Sequence, residues 1–191
     1  MRRYLFILVA LMISGISYAQ KKDYTVHNFE IVGGVGWSNT EYVNSSIFTG
    51  AVSYSYSFNR YFGIGGGLSY DRFDLLPHDV EGGRIIESKC NMYSLYGTVR
   101  GYVPSYSKYI SFVGVVDVGA TSLNRKTTEA EGVGYKFPST AFMCSPQLGI
   151  RVKVNKEKRF ALNARAYYKY FGLSDNRKQL DVIGVLFGLS F

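Results

Sequence analysis

Residues 49–70, TGAVSYSYSFNRYFGIGGGLSY, alternate large and small side chains at every second position, pause at Asn59-Arg60, and resume the alternation. A period of two belongs to a β-strand, whose successive side chains point to opposite faces, and excludes a helix. One face carries Val52, Tyr54, Tyr56, Phe58, Phe62, Ile64, Leu68 and Tyr70; the other carries Thr49, Ala51, Ser53, Ser55, Ser57, Gly63, Gly65, Gly67 and Ser69. The small face is the more restrictive of the two. A strand wetted on one side shows Lys and Glu there, whereas Ser, Ala and Gly suit a space too narrow for anything larger.

The same period divides the chain into eight segments of about a dozen residues. Besides the two above, the shared faces are Phe29, Ile31, Gly33, Val35 and Trp37; Tyr93, Leu95, Val99 and Val103; Ile110, Phe112, Val116 and Val118; Phe142, Leu148, Ile150, Val152 and Val154; Phe160, Leu162, Ala164, Ala166, Tyr168 and Tyr170; and Ile183, Val185, Phe187, Leu189 and Phe191. No helical segment competes. An even number of strands lets the sheet close with both ends on one side. Short turns are expected at Asn59-Arg60, Pro104 to Lys108 and Asn155 to Lys158. Longer links are expected at Asn39 to Ser46, Asp74 to Lys89, Ser122 to Thr140 and, more modestly, Leu173 to Lys178, so that one rim is short and the other long.

Alternation alone does not say whether the apolar face meets a core or lipid, because a soluble ligand-binding barrel shows the same period in the opposite sense. The cramped small face decides for an apolar exterior: eight strands leave an interior just wide enough for side chains. Aromatic residues gather toward strand ends, as Trp37, Phe48, Tyr61, Tyr70, Tyr93, Tyr109, Phe142 and Phe160 do, where amphipathic rings sit at headgroup level. Strands of this length, tilted by about 40°, cover a hydrocarbon layer of roughly 25 Å. The fold expected is an all-β, eight-stranded antiparallel up-and-down transmembrane β-barrel.

At 191 residues, with 21 Gly, 17 Tyr and 13 Phe, the chain is one strand-rich domain. It begins MRRYLFILVALMISGISYAQ: two arginines, an apolar stretch, then Ser17-Tyr18-Ala19, the pattern of a secretory signal peptide cut after Ala19. Residues 1–19 are therefore expected to be the leader and 20–191 the barrel domain. No cysteine follows the cut, so no lipid anchor is expected. Loss of Arg2 and Arg3 takes the formal charge from +8 to +6. The basic residues are scattered, and neither their placement nor export suits nucleic acid. Strand parity points Cys90 inward and Cys144 outward, so that a disulfide would need a bulge to bring them together.

The export signal, eight alternating strands and a last strand, DVIGVLFGLSF, ending with Phe187, Leu189 and Phe191 on one face, together resemble the eight-stranded bacterial outer-membrane barrels of the OmpA transmembrane-domain and OmpX type, the porin-family outer membrane protein β-barrel domain. The resemblance covers essentially the whole mature chain. It implies a monomer in the outer membrane of a Gram-negative envelope, in contact with membrane lipid and lipopolysaccharide. It also implies that Phe187, Leu189 and Phe191 are the signal read by the barrel-assembly machinery. No cell-wall-gripping domain follows the barrel, so peptidoglycan tethering is not expected.

The inward face holds Glu30, Asp71 and Asp117 against Arg100, Arg151, Lys153, Arg165 and Lys169. Counting from the short-turn rim puts Glu30, Arg100 and Arg151 at one depth and Asp117 with Arg165 near mid-height. Opposite charges at matched depth are expected to pair into a plug, because an unpaired buried charge costs several kcal/mol. The rival is a narrow pathway favouring anions. Arg72, Arg84, Arg125, Lys126, Arg177 and Lys178 lie at or beyond the long-loop rim, where solvated charges and contacts to lipid phosphates are both open readings.

No catalytic set, cofactor or metal site is expected. His27 precedes the first strand, His78 sits in a long loop, and no serine, histidine and carboxylate fall at matching positions. Two distant histidines and two separated cysteines lack metal-ligand spacing. GIGGG at Gly63–Gly67 lies inside a strand with no helix after it, so it is no phosphate loop. The function expected is structural or adhesin-like, with the loops Asp74 to Lys89 and Ser122 to Thr140 presented to an external ligand. The alternatives are a lipid A-modifying barrel enzyme and a narrow pore or small-solute importer.

Overall fold

A computed structural model describes residues 26–40, 43–75, 88–105, 109–127, 140–154, 160–173 and 179–191. The eight alternating segments form eight strands: β1 (Val26–Thr40), β2 (Val43–Ser57), β3 (Phe62–Leu75), β4 (Ser88–Pro104), β5 (Ile110–Thr127), β6 (Thr140–Lys153), β7 (Ala161–Leu173) and β8 (Gln179–Ser190). Each pairs antiparallel with its sequence neighbours, and β1 pairs with β8, so that the sheet is a closed barrel in the order β1-β2-β3-β4-β5-β6-β7-β8. Closure leaves no strand edge unpaired, which is what lets a sheet stand in hydrocarbon.

The seam is fastened by the last residue. Phe191 donates its backbone N–H to the Phe29 carbonyl at 2.9 Å and accepts from the Phe29 N–H at 3.0 Å. Its ring lies 6.1 Å from Phe29 and 5.9 Å from Phe160. At the β2–β3 turn, Asn59 Oδ1 accepts from the backbone N–H groups of Tyr61 and Phe62 at 2.7 and 2.6 Å. This side-chain turn is the reason Asn marks the reversal.

One expected link is corrected. Asn39 to Ser46 is a continuation of the ladder, with Asn39 opposite Asn44 and Thr40 opposite Val43, so only residues 41–42 separate β1 from β2. Both faces of this hairpin are polar, which hides the period of two. In the same way β5 runs on through Thr127, taking in Ser122 to Lys126. The long-loop rim thus carries one tight hairpin, and its longer links are residues 76–87, 128–139 and 174–178.

Leu95, Leu148, Leu68, Phe187, Phe48 and Val103 are exposed on the outside, whereas Ser53, Ser55, Ser69, Ser94, Ser145, Thr98 and Thr121 are buried inside. The interior is not uniformly small and polar, however. Toward the long-loop rim Ile47, Cys90, Met92, Met143, Phe171, Leu180 and Val182 form an apolar cluster that extends down to Tyr96, Tyr167 and Leu186. Glycines opposite the two tyrosines make the room. A Cβ on Gly67 would stand 2.6 Å from the Tyr96 hydroxyl, and one on Gly184 2.6 Å from a Tyr167 ring carbon. Each ring lies against bare backbone on its neighbouring strand, and this close approach accounts for the last glycine of GIGGG, Gly67. Cys90 is buried and Cys144 half-exposed, and no disulfide joins them.

The barrel interior as the candidate functional site

Six of the eight charged residues expected inside are buried there: Glu30, Asp71, Arg100, Asp117, Arg165 and Lys169. Inward parity on β1, β3, β4, β5 and β7 brings them together across the lumen. Glu30 holds two guanidinium groups, with Arg100 Nη2 2.7 Å from Oε2 and Arg165 Nη2 3.0 Å from Oε1. Arg100 also donates to Ser53 Oγ at 2.7 Å. Higher in the barrel, Lys169 Nζ bridges to Asp71 at 2.6 Å, and Asp71 accepts further from Thr49 at 2.7 Å. The serines and threonines of the small face therefore act as hydrogen-bonding partners as well as space savers, satisfying lone pairs that desolvated carboxylates would otherwise leave bare.

The expected partnerships are corrected in three places. Arg165 pairs with Glu30 and not with Asp117, whose Oδ2 accepts from Gln147 Nε2 at 2.6 Å. Arg151, placed at the depth of Glu30, is half-buried and donates to Asn28 Oδ1 at 2.9 Å. Lys153, the last residue of β6, is exposed, because the strand has reached the rim where the lumen meets water. Counting along strands misjudges such partners because the strands are staggered and the side chains of Arg and Lys are long.

Between the two ion-pair groups lies a cavity of about 20 Å³, lined by residues including Glu30, Asp117, Gln147, Tyr167 and Lys169. That is room for about one water molecule. Sequence reading missed Tyr96, Tyr167, Gln147 and the apolar cluster. Their inward parity was present in the sequence as the complement of each outward set, but the inner face was expected to be small or ionic, and nothing in the period of two marks which inward positions hold large side chains.

The remaining candidates are dispersed. His27, expected ahead of the first strand, lies within β1 opposite Tyr56, on the outside, where its ring hydrogen-bonds the Tyr54 hydroxyl and packs against Tyr54 and Tyr56. Arg72 is exposed on the outer face above Tyr70 and Tyr93, whose rings lie 5.3 Å apart. Arg125 and Lys126 belong to β5. His78, Arg84, Arg177, Lys178, the leader and the greater part of both long loops lie outside the described residues. Phe187, Leu189 and Phe191 are exposed together on the outer face.

A closed eight-stranded wall, apolar outside and ionic within, is the architecture of an outer-membrane β-barrel. The family model described as Outer membrane protein beta-barrel domain matches residues 7–191, and the chain belongs to that family. Its fold is shared with Neisserial surface protein A, at 13% identity and a TM-score of 0.63, covering 86% of this chain and 95% of that one. It is also similar to Ail, the attachment invasion locus protein of Yersinia pestis, in a crystal structure with the heparin analogue sucrose octasulfate. There the identity is 16% and the TM-score 0.50, over 86% and 96% of the two chains. No curated protein matches the chain by sequence.

Proposed function

We propose that this protein is a monomeric, non-conducting outer-membrane barrel whose work is done at its surface, through residues 76–87 and 128–139. Its ionic interior serves as a structural plug, and it is exported by a leader cut after Ala19. The observation that carries the reading is the filled lumen: two salt-bridged groups, an apolar cluster above them, and space for about one water. A barrel without a lumen has its walls and its loops left with which to meet partners. The walls face lipid and lipopolysaccharide, and the two longest links emerge at one rim, where an external ligand would meet them. Phe187, Leu189 and Phe191 would be read earlier, by the assembly machinery, while β8 is still unpaired.

Surface roles in the two fold neighbours are consistent with this reading, but their ligands do not transfer. Residues 76–87 and 128–139 carry Asp79, Glu81, Glu87, Glu129 and Glu131 against Arg84 and Lys136, but Arg72, Lys89, Arg125 and Lys126 flank them and Arg177 and Lys178 lie on the same rim, so the charges at this rim are mixed and do not select the class of ligand.

The test is a pair of variants in which 76–87 and 128–139 are each replaced by a short Gly-Ser linker, displayed on cells and compared with the parent for binding to host-cell and matrix surfaces. Loss of binding with an unchanged heat-resistant barrel band is expected. Undiminished binding by both variants, or discrete conductance steps from the parent barrel in planar bilayers, overturns the reading.

A further inference from the structure

We propose that the short-turn mouth of the barrel holds a dissolved phosphate-type oxyanion, bound by Arg151, Asn28 and Asn163. Among the described residues, Arg100 and Arg165 are salt-bridged to Glu30, and Lys169 to Asp71. Arg151 has no carboxylate among them. Its polar contact is the neutral Asn28 Oδ1 at 2.9 Å, with the Tyr102 ring 5.5 Å from the guanidinium carbon. It is also half-buried, so the cation is partly stripped of water and still reachable from the rim.

The neighbouring atoms share one chemistry. Arg151 Nε, Asn28 Nδ2 and Asn163 Nδ2 are buried N–H donors with no acceptor. Asn163 stands directly opposite Arg151 in the β6–β7 register, and the bond from Arg151 to Asn28 Oδ1 fixes the Asn28 amide beside the guanidinium. Asn28 is 1% exposed and Asn163 6%. Ser55, opposite Asn28, adds a buried hydroxyl without a partner. Buried donors are ordinarily satisfied, and a set of donors around a cation without a counter-charge calls for an acceptor that is itself negative. Arginine's fork and flanking amides match an oxyanion with several oxygens. Deeper in the lumen Arg100 Nε and Arg165 Nε are also unpartnered donors, but both guanidinium groups are neutralised by Glu30, and the unpartnered Asp117 Oδ1 and Gln147 Oε1 are acceptors, so the cation without a described carboxylate is the one at the mouth. The nearest carboxylate along β1, Glu30, is already held by two arginines. Because all three donors face the lumen, a headgroup outside the wall does not reach them, and the ligand is an anion dissolved on the short-turn side.

The full chain, refolded in a non-ionic detergent, is titrated with sodium phosphate at constant ionic strength while its thermal midpoint is followed. A saturable rise of about 2–4 °C is expected at several times Kd, accompanied by broadening of the phosphate ³¹P resonance. Arg151→Gln and Asn163→Asp should each abolish both signals, whereas Arg72→Gln, on the outer face, should leave them intact. The ³¹P measurement on the parent keeps the test decisive if either variant refolds poorly. An equal rise in Arg151→Gln, or no broadening in the parent, overturns the site. So does a response seen only in Glu157→Gln, which would mean that the chain's own carboxylate takes the place of the anion.

Discussion

Glu30 is the residue on which the interior depends most, because one carboxylate neutralises two guanidinium groups at 2.7 and 3.0 Å. Replacing it with Gln keeps the shape and strands two buried cations. Breaking a buried pair in this way typically costs about 3–5 kcal/mol, so Glu30→Gln should lower the urea midpoint of the refolded barrel sharply. Lys153→Gln, at the exposed end of β6, should change stability by no more than about 0.5 kcal/mol. Equal effects from the two would contradict the assignment of Glu30 to the interior network. The contrast also marks how far the sequence could be read at this scale. Parity placed Glu30, Arg100 and Arg165 on one side of the wall. Which guanidinium reached which carboxylate depended on stagger and side-chain length, and parity carries neither.

Among the strands, β6 carries a proline, Pro146, well inside its span, where a paired strand does not favour it. Its ladder to β7 runs to Cys144↔Tyr170 and resumes at Gln147↔Tyr167 in the same register, omitting Ser145 and Pro146, whereas its ladder to β5 is unbroken. A proline nitrogen has no hydrogen to give, so the wall is missing a rung between Pro146 and Tyr168. In lipid an unmade backbone bond is costly. Pro146→Val should restore the rung, slow amide hydrogen exchange in β7 around Tyr168, and stabilise the barrel by about 1–3 kcal/mol. Unchanged exchange there would show that the gap is already closed by another donor. The proline was visible in the sequence, but whether its nitrogen faced a neighbouring carbonyl was settled by register.

For the whole molecule, the decisive claim is that the exterior meets hydrocarbon. Leu95 lies near the middle of β4 and is 68% exposed. On a water-facing surface an arginine there would be nearly neutral, whereas at the midplane of a bilayer it costs about 2–4 kcal/mol. Leu95→Arg should therefore reduce the folding free energy measured in lipid vesicles by that amount. Near-neutrality would contradict the membrane orientation. The seam between β8 and β1 runs from Trp37↔Ile183 to Glu30↔Ser190 and continues in the paired bonds of Phe29 and Phe191.

Strand number, antiparallel order and the sense of the two faces followed from the sequence alone, because a side chain's facing depends on its own position modulo two and needs no knowledge of distant residues. Tertiary structure decided the rest. It gathered Leu180, Val182 and Leu186 of β8 into an apolar cluster with residues of other strands, set Tyr96 and Tyr167 against Gly67 and Gly184, and divided the lumen into an apolar half and an ionic half. It also selected Glu30 as the partner of Arg165 and left Arg151 beside two asparagines. These outcomes depend on how far each strand slides along its neighbour before the barrel closes. That shear belongs to the closed sheet as a whole and is written in no single strand.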